Sequence, residues 1–116
     1  KLAGDAAEGI VYPLATGFDI ASKDPLTKTF VDAFKKRFGY EPGWMEAHAY
    51  DAFMLVSKAM TSTKGAATGT QIRDYFDSMG VYRGVTGAIK FDENGDVIRG
   101  VSFKTVKGGR FVSYSN

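Results

Sequence analysis

The fold of this chain is decided by the stretch DPLTKTFVDAFKKRFG, residues 24–39. Asp24 is a residue type that caps the amino terminus of a helix, and Pro25 is favoured in the first helical turn. The large apolar residues recur every four positions, which is the spacing of one helix face: Leu26, Phe30, Phe34 and Phe38. Gly39 is typical of the residue that follows a helix. The stretch therefore predicts an amphipathic helix.

Two further helices are predicted downstream of the first. The second runs from about Met45 to Thr61, and its apolar residues cover more than one stripe, so we expect it to be covered on two sides. A loop of small residues at 63–69 separates it from the third helix. That helix starts near a cap at Thr70, carries apolar residues at helical spacing, and ends at Gly80.

Strand patterns lie on either side of the three helices. The run EGIVYPL at residues 8–14 predicts a leading strand. Residues 87–91 alternate, and the Asn-Gly pair at 94–95 is a strong signal for a two-residue hairpin turn. Return strands are predicted at 97–106 and at 110–114, with Gly-Gly in the turn between them. The predicted order is one strand, three helices and three antiparallel strands.

This order leaves the helices with too little sheet to pack on. One leading strand cannot cover three helices, and a compact α/β layer needs parallel strands between them. The chain also begins with Lys1 rather than methionine. We therefore expect a fragment of an α/β protein, or a processed chain, whose helices pack against a sheet from elsewhere.

Composition excludes several classes of protein. The 116 residues include no cysteine, so a disulfide scaffold, a thiolate zinc site and a cysteine nucleophile are ruled out. The formal charge of +2 is too small to predict nucleic-acid binding. The densest basic cluster, residues 35–37, lies at the end of the first helix, where cations suit the helix dipole. Apolar runs reach five residues at most, far below the about 20 that a membrane helix needs.

Catalytic constellations are weak in this sequence. His48 is the only histidine, and His48, Asp51 and Ser57 could form a triad only on paper. His48 and Ser57 lie nine residues apart on one predicted helix, roughly 13 Å along its axis, too far for a hydrogen bond. We expect no enzyme activity, no metal and no cofactor.

Two loops resemble ligand motifs without completing them. The run DENGD at residues 92–96 opens like a calcium loop, but the sixth and twelfth positions are Val97 and Phe103 instead of glycine and glutamate. The run GAATGT at residues 65–70 lacks the ending of a phosphate loop and does not follow a strand. A hairpin turn and a helix connector are the better interpretations.

Aromatic residues are the more useful functional signal. Tyr12, Phe18, Trp44 and Tyr50 lie at element ends or on the unusually apolar second helix. Aromatic rings commonly wall small-molecule sites, since they supply a large contact area at low entropic cost. Packing in the core is the alternative role for each of them.

Three blocks in order resemble one family. They are DPLTKTFVDAFKKRFGYEP at residues 24–42, AHAYDAFMLVSKAM at 47–60 and GVTGAIKFDENGD at 84–96. Together they resemble the carboxy-terminal third of type I solute-binding proteins, the periplasmic proteins of ABC transporters for branched-chain amino acids and related solutes. The AYDA and GxxGxIxFDxxGD patterns carry most of the likeness, which covers nearly the whole chain.

The resemblance implies a fold and a division of the chain. The family has two Rossmann-like lobes joined by crossing strands, with the ligand held between them. By this likeness, residues 1–23 form a second-lobe strand and a hinge crossing, and residues 24–100 form part of the first lobe. Residues 101–116 return through the hinge to a second-lobe hairpin. The missing amino-terminal part of the protein would supply the partner strands.

The resemblance also implies a function without a reaction. A solute, either an amino acid or an aromatic or aliphatic carboxylate, would be captured by hinge closure and delivered from the periplasm to a membrane permease. Tyr50 of the AYDA block would flank the ligand, and Phe18 and Trp44 are weaker candidates. A sensory domain built on the same fold is the alternative. We also expect that this piece self-associates when it is prepared alone.

Overall fold

The computed structural model describes residues 2–14, 17–65 and 67–114. Lys1, residues 115–116 and the first two residues after the leading strand, Ala15 and Thr16, lie outside the described part, as does Ala66 in the predicted small-residue loop. In chain order the elements are a short 3-10 helix Gly4–Ala7, β1 (Val11–Leu14), α1 (Pro25–Phe38), α2 (Trp44–Ser62), α3 (Gly69–Ser78), β2 (Tyr82–Gly84), β3 (Gly87–Ile89), β4 (Ser102–Lys107) and β5 (Arg110–Ser113).

The chain folds as two compact units. One, the terminal unit, combines Lys1–Gly17 with Arg99–Asn116, and the other, the helical unit, is Phe18–Ile98. Within the described ranges, no helix combines the length and the apolar character that a membrane crossing requires. Each unit has its own sheet and its own packing, and each is described by itself below.

The terminal unit is a three-stranded antiparallel sheet in the order β1-β4-β5. Val11 lies opposite Thr105 in the β1–β4 pair, and Val106 lies opposite Phe111 in the β4–β5 pair. The turn between β4 and β5 is held by the Glu8 carboxylate, which accepts hydrogen bonds from the backbone N–H groups of Gly108 (2.8 Å) and Gly109 (3.3 Å). A side chain from before β1 thus fixes a turn at the far end of the sequence.

The helical unit begins with the helix that the cap and spacing predicted, and α1 is confirmed. The Asp24 carboxylate accepts hydrogen bonds from the N–H groups of Leu26 (2.9 Å) and Thr27 (3.4 Å), and the helix ends at Gly39 with φ of 79°. Its buried side contacts α2 and the β2–β3 turn in one apolar cluster: Phe30, Val31, Ala47 and Val85, with Phe18 and Phe34 packed against it.

Helix α2 is apolar on two sides, as its sequence predicts, but within the described part of the helical unit only one of the two sides is covered. One side is buried, with residues spaced by four: Ala47, Asp51, Leu55 and Ala59. The opposite side exposes Phe53 (73% exposed), Val56 and Met60 around a shallow depression that also includes Ser57. Within the described part of the helical unit, nothing covers this second side, which we call the open face of α2.

Two predictions in the middle of the chain need correction. Helix α3 is capped by Thr68 rather than Thr70, because the Thr68 hydroxyl accepts from the Gln71 N–H while the Gln71 side chain accepts from the Thr68 N–H. The described residues also contain one strand more than the predicted order. This strand is β2, and it pairs with β3 in a separate two-stranded antiparallel sheet.

The hairpin predicted at Asn94–Gly95 does not extend into two strands. Phe91 and Val97 form a single bridge, and the next strand, β4, begins only at Ser102 and pairs with β1 instead. The local reason is Asp92, whose carboxylate Oδ1 accepts from the N–H groups of Asn94 and Asp96, both at 2.9 Å. These bonds close a compact loop, so the backbone groups of the turn are satisfied without a long ladder.

Candidate functional site

The aromatic candidates are organised by Phe30 of α1. The Phe18 ring packs against Phe30 edge to face at a centroid distance of 6.1 Å, and the Tyr50 ring of α2 packs against Phe30 at 4.8 Å. The structure therefore brings Phe18 and Tyr50 to the same central ring. We call Phe18, Phe30 and Tyr50 the aromatic wall.

Trp44 lies outside the aromatic wall. It precedes Tyr50 by six residues on α2, which places the two side chains about 120° apart around the helix axis. The ring contact of Trp44 is with His48, at 5.8 Å and edge to face, and His48 Nδ1 lies 2.7 Å from the Trp44 carbonyl oxygen. Among the described residues, no ring contact joins Trp44 to the wall.

A groove of about 250 Å³ runs along two members of the wall, Phe30 and Tyr50, and Phe18 does not line it. Tyr50, which is 38% exposed, lines it from α2, and α1 supplies the remaining lining, including Phe34 and Arg37. Ligand sites usually enclose about 300–1,000 Å³, so the groove is the size of part of a site rather than a whole one. Its surface is mainly apolar with one cation, which suits a small apolar molecule that carries a negative group.

The buried carboxylate of Asp51 fixes the structure behind the wall. Asp51 is 2% exposed and accepts three hydrogen bonds, from the N–H of Val85 (2.8 Å), the N–H of Thr86 (2.9 Å) and the hydroxyl of Thr86 (2.6 Å). These bonds hold the β2–β3 turn against α2. Gly84 is required beside them, because a Cβ there would lie 2.5 Å from Asp51 Cγ.

Electrostatics around this turn are set by two more groups. Burial of the Tyr82 hydroxyl and, to a smaller extent, the negative charge of Asp51 raise the pKa of that hydroxyl, so Tyr82 stays neutral. The Lys58 ammonium lies over the Tyr82 ring, 5.0 Å from the ring centre. The side chain of Arg83 donates to Asp24 and, with the Leu26 N–H, lowers the pKa of that carboxyl group. Within the described ranges, no three acidic or histidine side chains are grouped closely enough to hold a metal ion.

The sequence contained a signal for one of the two residues that the prediction missed. Asp51 occupies the four-residue stripe of Ala47 and Leu55, and a charged residue on a buried stripe indicates a carboxylate with internal partners. Phe30 was assigned only to the apolar face of the first helix. Its position one turn from Leu26 and Phe34 gives no indication that its ring would contact Tyr50.

Comparison with known proteins gives a consistent picture. The sequence model of the periplasmic binding protein family matches residues 1–110. No curated protein gives a significant match. Three solved structures are similar to the chain over nearly its whole length, although it spans only about a third of theirs.

The first two of these structures have leucine in their descriptions. An ABC transporter substrate-binding protein from Desulfitobacterium hafniense, in complex with Leu, has a TM-score of 0.80 and 31% identity, with 93% of this chain and 32% of that chain covered. A leucine-binding protein from Thermotoga maritima has a TM-score of 0.79 and 30% identity, with 98% and 32% covered.

The third binds an aromatic acid. It is a solute-binding protein of an ABC transporter from Rhodopseudomonas palustris in complex with 3,4-dihydroxybenzoic acid, with a TM-score of 0.69 and 30% identity, and the match covers 95% of this chain and 30% of that one. The α/β fold expected from the resemblance is confirmed, as part of a two-lobe protein. With its sequence and its structure both matched over nearly their full length, this chain belongs to the periplasmic binding protein family.

Proposed function

We propose that this chain works as the carboxy-terminal part of the solute-binding component of an ABC importer. The complete protein would capture a branched-chain amino acid or a related small carboxylate between two lobes outside the cytoplasm and deliver it to a membrane permease. The family membership and the leucine and dihydroxybenzoate named for its relatives support this proposal. The observation that carries it is the aromatic wall, where Tyr50 of α2 and a row of side chains from α1 line a mainly apolar groove.

The division of the chain follows from the same proposal. Residues 24–100 would belong to the first lobe, residues 1–23 would contribute a second-lobe strand and a hinge crossing, and residues 101–116 would return to the second lobe. The compact units support this arrangement, since the two ends of the chain share one sheet while the helices share the other unit.

The proposed ligand contacts differ in their support. Tyr50 is supported best, because it is exposed at the groove, and Phe18 is supported by its contact with Phe30 behind Tyr50. Trp44 remains a candidate at the start of α2, where it is 47% exposed and available to a ligand or to the remainder of the protein.

The remainder of the protein is the proposed partner of the open face of α2. Phe53, Val56 and Met60 form an exposed apolar stripe, and such a stripe on a helix is normally covered. When this piece is prepared alone, we expect the stripe to drive self-association. A monomeric piece that melts cooperatively, by light scattering and calorimetry, would contradict this expectation.

A thermal-shift screen of the full-length protein tests the function. The panel would contain leucine, isoleucine, valine, benzoate and 3,4-dihydroxybenzoate, with a polar amino acid such as lysine as the control. A solute at 100 times its dissociation constant adds about 2.7 kcal/mol to the free energy of unfolding, which is a clear shift. If a folded, ligand-free protein responds to no member of the panel, the proposed ligand class is wrong.

Two variants and an uptake assay sharpen the result. Tyr50→Ala is expected to weaken binding at least tenfold. The affinity of Trp44→Ala then shows whether Trp44, which lies about 120° away around the same helix, also contacts the solute. Loss of solute uptake in cells without the protein supports transport. Intact uptake together with a lost transcriptional or motile response to the same solute would instead assign the protein to sensing.

A further inference from the structure

Asp51 lies in a closed circuit of contacts that returns to the aromatic wall. Its carboxylate holds the N–H groups of Val85 and Thr86. The carbonyl oxygen of Val85 accepts a hydrogen bond from the Thr27 hydroxyl of α1 at 3.2 Å. The path therefore runs from α2, through the β2–β3 turn, to α1.

The second half of the circuit is made of apolar contacts. Thr27 and Phe30 lie one turn apart on α1, and both are buried. The Phe30 ring packs on the ring of Tyr50, and Tyr50 is covalently next to Asp51. Five residues thus form a loop of contacts that starts and ends on α2: Tyr50, Asp51, Val85, Thr27 and Phe30.

A closed loop of this kind fixes the rotation of α2 about its axis. Apolar contacts are non-directional, whereas hydrogen bonds weaken steeply as their angles change, so the three bonds to the buried carboxylate restrict rotation of α2. Because Tyr50 and Asp51 are adjacent, about 100° apart around the axis, any rotation at Asp51 carries the Tyr50 ring along.

We propose that Asp51 is a positioning residue for ligand binding, which holds the Tyr50 ring against Phe30 and so sets the shape of the groove. Asp51 itself is 2% exposed and does not line the groove, so it acts through Tyr50 rather than by touching the solute. This inference rests on the proposed function, since it assigns a role within the same site.

The test compares Asp51→Asn with Leu55→Ala in the full-length protein. Leu55 lies one turn further along the same buried face of α2, so its truncation lowers stability while the carboxylate and its three hydrogen bonds remain. Thr27→Val is a milder second variant that opens the circuit at α1 and keeps the carboxylate bonds. Affinity is measured by titration calorimetry with L-leucine or with the panel member that gives the largest thermal shift.

Asp51→Asn is expected to weaken binding tenfold or more and Thr27→Val severalfold, while Leu55→Ala lowers the melting temperature and leaves the affinity within twofold. If Asp51→Asn lowers only the melting temperature, or if Leu55→Ala weakens binding equally, Asp51 has no positioning role. Should Asp51→Asn fail to fold, the Thr27→Val and Leu55→Ala pair makes the same comparison.

A measurement without solute separates this inference from the proposed function. In protein with ¹³C-labelled tyrosine rings, the Tyr50 signal is identified by its loss in Tyr50→Phe. The ring current of Phe30 shifts this signal, so opening the circuit is expected to move it in Asp51→Asn and Thr27→Val and not in Leu55→Ala. If no solute binds but the signal moves in this pattern, the proposed ligand class fails and the positioning holds. An unmoved signal in both circuit variants overturns the positioning.

Discussion

Replacing Gly84 by alanine is expected to destabilise the helical unit through a single atom. The new Cβ would lie 2.5 Å from Cγ and 2.6 Å from Oδ1 of Asp51, and closer still to Oδ2. A carboxylate on the surface would rotate away, but Asp51 is 2% exposed and its carboxylate accepts three hydrogen bonds from the β2–β3 turn. Either the carboxylate leaves its donors or the backbone of β2 moves away from α2.

The two outcomes differ in their cost in free energy of unfolding. Buried N–H groups that lose their acceptor cost about 1–3 kcal/mol each, and forcing extra volume into a packed site costs about 1–3 kcal/mol. Alanine lowers the entropy of the unfolded chain and returns about 0.4–1 kcal/mol. Because the less costly outcome is the one that occurs, the backbone shift less the entropic gain sets the net loss in free energy of unfolding, at about 1–2 kcal/mol.

Urea unfolding of the full-length protein, followed by helical circular dichroism, measures this loss. The matched control is Gly80→Ala, since a Cβ at Gly80 would meet open space and the residue is not at positive φ. That control should change the free energy of unfolding by less than about 0.5 kcal/mol. If Gly84→Ala unfolds at the same urea concentration as Gly80→Ala, the clash with the carboxylate has no energetic consequence and the reasoning is wrong.

A double-mutant cycle isolates the responsible atoms. In an Asp51→Ala background the carboxylate is gone, so adding Gly84→Ala should cost much less than it does in the wild type. A coupling energy above about 1 kcal/mol between the two positions is expected for residues in direct contact. Additive losses would show that alanine at position 84 acts through some other neighbour.

Four further predictions concern other parts of the chain. The lowered pKa of Asp24 means that its contribution to stability is complete above the ordinary value of 3.8 and is lost as the pH falls through the lowered value. Asp24→Asn should therefore flatten the acid-induced fall in urea midpoint, and a fall as steep as that of the wild type would contradict this. Phe53→Ser should raise the concentration at which the isolated piece self-associates in light scattering. Unchanged association would show that the open face of α2 does not drive it. Glu8→Ala should lower the free energy of unfolding of the terminal unit by about 0.5–1.5 kcal/mol. Gly109→Ala, at a residue with φ of 70°, should lower it by about 1 kcal/mol. A variant that unfolds at the wild-type urea midpoint would contradict its prediction.

The helices could be predicted because their signals are local. Asp24 and Gly39 cap α1 with their own atoms, and the spacing of its apolar residues requires no knowledge of the rest of the chain. The two-sided character of α2 was equally visible, since its composition leaves no polar face. The predicted start of α3 was wrong by two residues, because Thr68 and Thr70 are both residue types that cap helices. Thr68 is the cap because Gln71, three residues later in the chain, completes the reciprocal hydrogen bonds with it.

The strands were harder because their partners are distant in sequence. β2 is three residues long, and its turn is held by Asp51, more than 30 residues earlier. β1 and β4 pair across nearly the whole chain, a contact that no local pattern encodes. At Asn94–Gly95 the local signal was real but incomplete, since Asp92 satisfies the turn by itself.

The candidate site was predicted in part. The family likeness singled out Tyr50, and the structure brings Phe18 to the same ring cluster through Phe30. Trp44 could have been separated from Tyr50 beforehand, since six residues on a helix turn the side chain by about 120°. Whether each side chain contacts a solute depends on the remainder of the protein, and the binding variants decide it.

The two units share one structural device despite their different folds. Glu8 in the terminal unit and Asp51 in the helical unit are both carboxylates that accept consecutive backbone N–H groups of a turn between antiparallel strands. Each turn is thereby fixed by a side chain far away in sequence rather than by burial alone. The strands can then keep their geometry while large apolar surfaces, such as the open face of α2, are left to a covering partner. The rigidity of each turn thus comes from hydrogen bonds within its own unit and does not depend on what covers the apolar surfaces. Loss of either carboxylate should therefore loosen one unit and leave the other intact.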